Sequence, residues 1–283
     1  MKVIRRDFFN VSRSDEFRIV PIGDVHIGAG ACDEDRLKRV VKRVESEPNT
    51  YWLGMGDFAD FVLRSDAKRF DPTTLADWVE TRHLADLARY QVDRFVEFVT
   101  PIAGKCLGLV QGNHEQNITK YYERDVYLEI VNKIKDLGKQ EKLALGYEGF
   151  LVLTFFRSAE GKRSGASAIT IYAHHGSGGG KKEGSKANNL QETLWTIDCD
   201  IVLFGHTHNT QTQVQQVLGV VGNRVVDRVR YGAFCGSYLK SYSEVDTYSR
   251  VKGFRAIPVS GVEIILRPGA ELPADRIKLI TQT

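Results

Sequence analysis

The sequence lacks any apolar run long enough to cross a membrane. No stretch approaches the roughly 18 apolar residues that a membrane-spanning helix needs. The first residues, MKVIRRDFFNVSRSDEF, also lack the apolar segment of a signal peptide. We therefore expect a cytoplasmic protein that has no membrane partner.

Closely spaced cysteines and a large excess of charge are missing as well. The four cysteines, Cys32, Cys106, Cys199 and Cys235, lie far apart and form no CxxC pair, which excludes the usual zinc knuckle and disulfide framework. We expect reduced thiols. The 39 basic and 36 acidic residues leave a net charge of only +3, so bulk charge does not indicate nucleic-acid binding, although a local basic patch is compatible with it.

Short apolar runs alternate with amphipathic segments, which predicts an α/β fold. Residues 33–47 have the spacing of a helix, with Asp33 as its N-cap, and residues 73–99 predict one long helix or two shorter ones. Two β-hairpins are predicted, over 150–173 and 214–234. Four further strands are predicted at FRIVPIG (17–23), TYWLGMG (50–56), KCLGLVQG (105–112) and DIVLFG (200–205).

Nothing in the composition divides the chain. We therefore predict one domain over residues 1–283, with a helical insertion at about 58–100 and a short surface tail at about 267–283.

Potential metal ligands follow the ends of five predicted strands. Six of the seven histidines lie in these positions, and only His83 lies elsewhere. In α/β sheets, the carboxyl ends of the strands are where ligands bind. Carboxylate, amide and imidazole groups suit divalent metals such as Mn²⁺, Fe²⁺, Zn²⁺ and Co²⁺. The five segments are GDVHIG (23–28), GMGDFAD (54–60), QGNHEQN (111–117), YAHHGSG (172–178) and FGHTH (204–208).

Each segment alone is more often an ordinary turn or a helix cap, so the argument depends on their combination and order. In that order the segments resemble the signature of the calcineurin-like metallophosphoesterases. The resemblance implies a four-layer α/β/β/α sandwich with two mixed β-sheets. It also implies two divalent metal ions, with Mn²⁺ expected first and Fe, Zn, Co or Ni as alternatives.

The resemblance also implies a role for each residue. Asp57 would bridge the two metals, with Asp24, His26 and His208 completing one site. Asn113, His174 and His206 would complete the other. The family's ligand usually comes first after the strand, which favours His174 over His175; His175 would then contact substrate or neighbouring groups.

The remaining implied roles concern catalysis and orientation. His114 would lie near the leaving-group oxygen, as a general acid or an electrostatic stabiliser. Asp60 and Glu115 would accept hydrogen bonds that orient the ligands and His114. Lys181, Lys182 and Lys186, in the glycine-rich stretch after His175, are candidate phosphate contacts, although a solvated surface loop is an equally good interpretation.

The substrate is narrowed by what differs from the protein phosphatases of this superfamily. Phe61 and Val62 follow Asp60 where those enzymes have Arg-Gly, and Gln111 stands where they have arginine. The arginines that clamp a phosphomonoester are therefore missing from these positions. DVHIG resembles the nuclease-like and phosphodiesterase members.

We therefore expect a binuclear metal-dependent phosphodiesterase, with DNA or RNA as candidate substrates, acting by in-line attack of a hydroxide that bridges the metals. A phosphomonoesterase acting on a small molecule or a nucleic-acid end is the alternative. An inactive metal-binding scaffold is a third, which the complete ligand set opposes. The oligomeric state is not predicted.

Overall fold

The structure is a computed structural model that describes residues 1–160, 165–177, 183–242 and 256–282. The helices are α1 (Glu34–Ser46), α2 (Leu87–Val99), α3 (Asn113–Tyr122), α4 (Val126–Gly138) and α5 (Glu183–Thr196). The strands are β1 (Lys2–Phe8), β2 (Phe17–Ile22), β3 (Thr50–Gly54), β4 (Cys106–Val110), β5 (Ala144–Gly146), β6 (Glu148–Phe156), β7 (Ala166–His174), β8 (Ile201–Phe204), β9 (Thr210–Val221), β10 (Arg224–Ser237), β11 (Ser260–Leu266) and β12 (Ile277–Gln282).

These strands form a mixed sheet in the order β1-β6-β7-β8-β10-β11-β2-β3-β4-β5, with β9 beside β10 and β12 beside β11. β2, β3 and β4 run parallel to one another, and so do β7, β8 and β10. The two groups are joined by a short antiparallel pairing of β10 with β11. The predicted mixed α/β fold is confirmed. The four-layer arrangement stays a prediction, because the described strands form one continuous path.

Three buried clusters hold the fold together. The first packs α1, α2 and α4 against β2, β3 and β4, and includes Leu37, Trp52 and Phe95. The second joins side chains from both parts of the sheet, and the third packs α5 on β7, β8 and β10. The carboxyl ends of the central strands are therefore held by apolar packing on both sides.

The helix predicted over 33–47 is confirmed. The Asp33 side chain accepts a hydrogen bond from the backbone N–H of Arg36, and Leu37, Val41 and Val44 are buried. Both predicted hairpins are also confirmed, as β6–β7 and as β9–β10.

The region predicted as helical over 73–99 differs from expectation. Only α2 is an α-helix, and the preceding residues form short 3₁₀ turns at Pro72–Thr74 and Thr81–Ala85. Trp78 donates a hydrogen bond to Glu34 of α1, so its spacing reflects a tertiary contact of the loop and not a helix face. The helical insertion predicted at 58–100 is therefore mostly a loop that is followed by α2.

The surface tail predicted from about residue 267 is wrong for its last part. Residues Ile277–Gln282 form β12, which pairs antiparallel with β11 from Leu266↔Ile277 to Gly261↔Gln282. Its alternating pattern is too short to be separated from a loop by sequence alone. Among the described residues, no helix is both long and apolar enough to span a membrane.

Candidate metal centre

The five segments singled out in the sequence converge at the carboxyl ends of β2, β3, β4, β7 and β8. Each strand is followed at once by a polar segment, and the two parallel groups of strands bring these segments to one edge of the sheet. The donor atoms form overlapping groups in which they lie within 4.8 Å of one another. Residues that are far apart in the chain thus meet in one site.

One group consists of Asp24, His26 and His208. The Nε2 atoms of His26 and His208 are 3.2 Å apart, and His208 Nε2 lies 3.4 Å from Asp24 Oδ1. Asp24 and His26 are buried. Two imidazole nitrogens and a carboxylate oxygen thus point at one small volume, which is the donor set that a divalent metal binds.

A second group consists of Asn113, His175 and His206. Asn113 Oδ1 lies 3.1 Å from His175 Nε2 and 2.7 Å from His206 Nδ1. Asp57 lies between the two groups, since its Oδ2 is 3.2 Å from His175 Nε2 and 4.0 Å from His26 Nε2. This placement would allow one carboxylate to contact two cations.

The geometry places His175, and not the preferred His174, beside Asp57. Side chains alternate across a strand, and in β7 Ile171 and Ala173 face the core between the two parts of the sheet, whereas Tyr172 faces α5. His174 lies on the same face as Tyr172 and packs against Phe204. His175 lies on the same face as Ile171 and Ala173 and is fully buried beside Asp57. In the sequence, the apolar residues at 169, 171 and 173 indicate that the odd-numbered residues of this strand face the core.

The ring nitrogens of His175 fit a metal ligand. Its Nδ1 lies 2.7 Å from the carbonyl oxygen of Met55, which can only accept, so Nδ1 carries the proton and Nε2 is left to face Asp57 and Asn113. Metal-binding histidines usually donate their second nitrogen in this way. By contrast, His174 Nδ1 accepts a hydrogen bond from the backbone N–H of Gly176 at 2.6 Å.

The backbone at this site is strained. Five of the residues lie in the left-handed region, with φ of 48° at Asp24, 54° at His26, 50° at Asp57, 65° at His206 and 54° at His208. Each such residue costs on the order of 1–3 kcal/mol and persists only where the surroundings enforce it. Strain concentrated on the candidate ligands indicates that their direction is functionally required.

Gly112 allows the closest approach between two of these segments. A Cβ atom at this position would lie 2.1 Å from Oδ1 of Asp57 and 2.2 Å from its backbone nitrogen. A side chain is therefore excluded here, and α3 can begin beside Asp57. The backbone N–H of His114 then donates to Asp57 Oδ1 at 2.9 Å.

The hydrogen bonds that Glu115 accepts come from the backbone. Fully buried, it accepts hydrogen bonds from the backbone N–H groups of Asp57 at 3.0 Å, Phe58 at 2.7 Å and Gly112 at 2.8 Å. Burial and the nearby Asp57 carboxylate raise the pKa of Glu115 to about 7. This side chain ties the segment after β3 to the segment after β4.

Asp60 contacts two histidines. Its carbonyl oxygen accepts a hydrogen bond from Nδ1 of His114, and its Oδ1 lies 3.4 Å from Nδ1 of His26. The Nε2 atoms of both rings are therefore turned away from Asp60. Asp60 thus contacts one ring through its backbone and the other through its side chain.

Two supporting groups were not found in the sequence. The buried Ser237 hydroxyl donates to the carbonyl oxygen of Asp24 at 2.8 Å, and the Tyr238 N–H donates to the same oxygen at 3.1 Å. These residues hold the left-handed Asp24 in place. They are more than two hundred positions along the chain from it, and no local pattern marks them.

The phosphate contacts predicted in the glycine-rich stretch are placed only in part. Lys181 and Lys182 lie outside the described residues. Lys186, on α5, donates to the carbonyl oxygen of Thr207 at 3.4 Å, between His206 and His208. It borders a cavity of about 400 Å³, which His174, Tyr172, Phe204 and Asn189 also line.

A model of the calcineurin-like phosphoesterase family matches residues 17–210, which include every candidate ligand. The chain belongs to the calcineurin-like phosphoesterase family. Members of this family depend on metals, and the clusters of aspartate and histidine described above could hold them.

Similar solved structures are distant. A double mutant of Vps29 from Entamoeba histolytica is 13% identical, with 94% of this chain and 98% of that chain covered and a TM-score of 0.37. A conserved uncharacterized protein from Streptococcus pneumoniae, described as a predicted phosphoesterase, is 12% identical over 95% and 99% of the chains, with a TM-score of 0.33. The NAD nucleotidase of Haemophilus influenzae is 9% identical, over 95% of this chain and 49% of that chain, with a TM-score of 0.40. No curated protein gives a significant match.

The electrostatics of this phosphoesterase site favour a cation. Burial lowers the pKa of His175, but the Asp57 carboxylate, Asp24 and the hydrogen bond to Met55 together raise it to about 10. Burial raises the pKa of Asp57, yet His175 and His114 hold it well below its usual range. These shifts favour a positive charge beside Asp57, and a metal at His175 Nε2 would take the place of the proton.

The two adjacent histidines allow a direct test of the ligand assignment. We expect His175→Ala to lower the affinity for Mn²⁺ by at least about 10-fold, because it removes a donor beside Asp57. The matched variant His174→Ala should keep the affinity of the unchanged protein. Isothermal titration of metal-free protein measures both, and a loss of affinity confined to His174→Ala would restore the original assignment.

A second prediction concerns the buried carboxylate of Glu115. Glu115→Ala leaves three buried N–H groups without their acceptor, each costing about 1–3 kcal/mol. We expect the free energy of unfolding of the metal-free protein to fall by about 3 kcal/mol or more in denaturant titrations. The exposed Glu97→Ala serves as control and should change it by less than about 0.5 kcal/mol; equal effects would contradict the role given to Glu115.

Proposed function

We propose that this family member is a metal-dependent phosphodiesterase with nucleic acid as a candidate substrate. The observation that carries the proposal is the position of Asp57 between two groups of donors, each able to hold one divalent cation. When bound, such cations supply Lewis-acid activation of water and neutralise charge on the phosphoryl oxygens. We expect Mn²⁺ to serve best, with Fe, Zn, Co or Ni as alternatives.

The residues of the chain would divide the work as follows. Asp24, His26 and His208 hold one cation, and Asn113, His175 and His206 hold the other, with Asp57 contacting both. Asp60 and Glu115 keep these groups in place. A serine or cysteine nucleophile is not needed, because water attacks phosphorus directly.

His114 would serve the leaving group. Its Nδ1 donates to the carbonyl oxygen of Asp60, so its Nε2 is the nitrogen left to act. Burial lowers the pKa of His114, but Asp57 and Asp60 outweigh burial and raise it, which favours a protonated ring that can donate to an oxygen. His114 also lies within reach of His26 and Asp57, so a role as a metal ligand is the competing possibility.

A phosphomonoesterase is favoured by one observation. Arg69 lies close enough to Asp60 to help lower the pKa of that carboxyl. A guanidinium group therefore lies near the site, although the arginines of the protein phosphatases are missing from their usual positions. Arg69 is paired with Asp66 at 2.6 Å and is half exposed, so a large part of its charge is already compensated. We therefore place the diester first.

The reaction can be tested with four substrates. We expect Mn²⁺-dependent hydrolysis of bis-(p-nitrophenyl) phosphate and of labelled single- or double-stranded DNA, with little turnover of p-nitrophenyl phosphate. Exhaustive chelation should abolish the activity, and Asp57→Asn should serve as the inactive control. Rapid turnover of the monoester alone would favour the alternative, and absence of all turnover with bound metal would favour a scaffold.

The role of His114 is tested separately. We expect His114→Ala to bind the same amount of Mn²⁺ but to lower kcat for the diester by about 10²- to 10⁴-fold, the usual contribution of a proton donor. Metal content is measured after dialysis and kcat in the same preparation. Loss of one metal equivalent would instead make His114 a ligand.

A further inference from the structure

The β9–β10 hairpin has two edges, of which one is protected against pairing with another strand and the other is not. Its register is continuous from Val221↔Arg224 to Cys235↔Thr210, across a two-residue turn at Gly222-Asn223. β8 pairs with β10 only from Tyr231 onward. Beyond that point, the described hairpin stands as a two-stranded ribbon, which is only marginally stable by itself in water.

The turn decides which backbone groups of β9 face outward. The residues that flank a two-residue turn form a hydrogen-bonded pair, and such pairs alternate along an antiparallel ladder. Val221 and the other odd-numbered residues therefore bond to β10. The even-numbered residues, from Thr212 to Val220, direct their N–H and C=O groups away from β10, and in the part of the chain that the structure describes no strand pairs with them.

The two edges differ in charge. The outer half of β10 carries Arg224, Asp227, Arg228 and Arg230, and charges of this kind discourage pairing with another chain. β9, with the sequence TQTQVQQVLGVV, has neither a charged residue nor a proline, and its register contains no bulge. It therefore lacks all three of these common protections of an exposed edge.

Three of the five even-numbered residues from Thr212 to Val220 are also apolar and exposed. Val214 is 62% exposed, Leu218 71% and Val220 73%. They share one face of the strand, on which Val225 of β10 lies directly opposite Val220. Apolar side chains beside unpaired backbone groups are the features that β-strand addition uses.

We propose that β9 pairs antiparallel with β9 of a second copy of this chain, about a two-fold axis at Val217. That register places Val214 opposite Val220 and Gln216 opposite Leu218. These residues are even-numbered, so their outward N–H and C=O groups can bond to those of the second copy. An uncharged strand meets no like charge in its own copy. The axis also closes the assembly, since each copy uses its open edge once.

The length of the strand is sufficient for such an interface. In the register about Val217, residues 213–221 of the two copies overlap, and these nine residues span about 30 Å at roughly 3.4 Å per residue. Main-chain hydrogen bonds along this overlap and the exposed apolar side chains beside them would form the interface. The four-stranded sheet formed in this way would also exceed the stability of the isolated ribbon.

The state of association of the full chain tests the proposal. Light scattering after size exclusion should give twice the chain mass for the unchanged protein. Two variants should each give the single-chain mass. Leu218→Lys places a charge on the β9 edge. Gln216→Pro removes a backbone N–H that points outward and makes no hydrogen bond to β10. The control Val225→Lys adds the same charge on the same face but on β10, and it should remain a dimer.

A cross-link tests the register. Val217→Cys should form a disulfide-linked dimer under mild oxidation, because a residue on a two-fold axis meets its own copy. Thr212→Cys, which would lie away from its copy, and the unchanged protein should not. Circular dichroism should be unchanged in all variants.

Several outcomes would overturn the proposal. A single-chain mass for the unchanged protein at every concentration would show that β9 has no second copy as partner. A dimer that survives both edge variants, or is lost equally in Val225→Lys, would place the interface elsewhere. Growth beyond two copies would contradict the closed two-fold pairing.

Discussion

The buried carboxylate of Asp57 is the group on which the rest of the site depends. It is 1% exposed and lies between His175 and His26, while the backbone N–H of His114 donates to it. A carboxylate removed from water is stable only beside positive charge or hydrogen-bond donors. Its neighbours meet this need from both groups of parallel strands, so the two parts of the sheet have to end at the same place.

That requirement explains the strained backbone and the glycine at position 112. The left-handed conformations at Asp24, His26, Asp57, His206 and His208 turn the chain sharply after each strand. The strands themselves are held by apolar clusters on both sides, which supply the free energy that local strain costs. The site is therefore rigid where its donors must converge, and the backbone bonds accepted by Glu115 add to this rigidity.

The long hairpin is continuous with the same site. β9 begins directly after the segment that contains His206 and His208, and β10 ends at Ser237, whose hydroxyl holds the carbonyl of Asp24. Contacts made along the hairpin are thus attached through short covalent paths to both groups of candidate ligands. An interface there and the metal centre would share the strands that position them.

The sequence by itself determined the α/β class, the strands that carry polar residues at their ends, the helix begun by Asp33 and the family. These features depend on local periodicity and on short ordered motifs, which can be read directly from the linear sequence. It did not predict β1 or β12, whose strand character comes from pairing with β6 and β11, and it mistook the contact of Trp78 with α1 for helical spacing. Only the tertiary structure decided that His175, and not His174, lies beside Asp57. The reason is that the two histidines are adjacent, and the face that each occupies is set by the packing of β7 against strands of the other part of the sheet on one side and against α5 on the other.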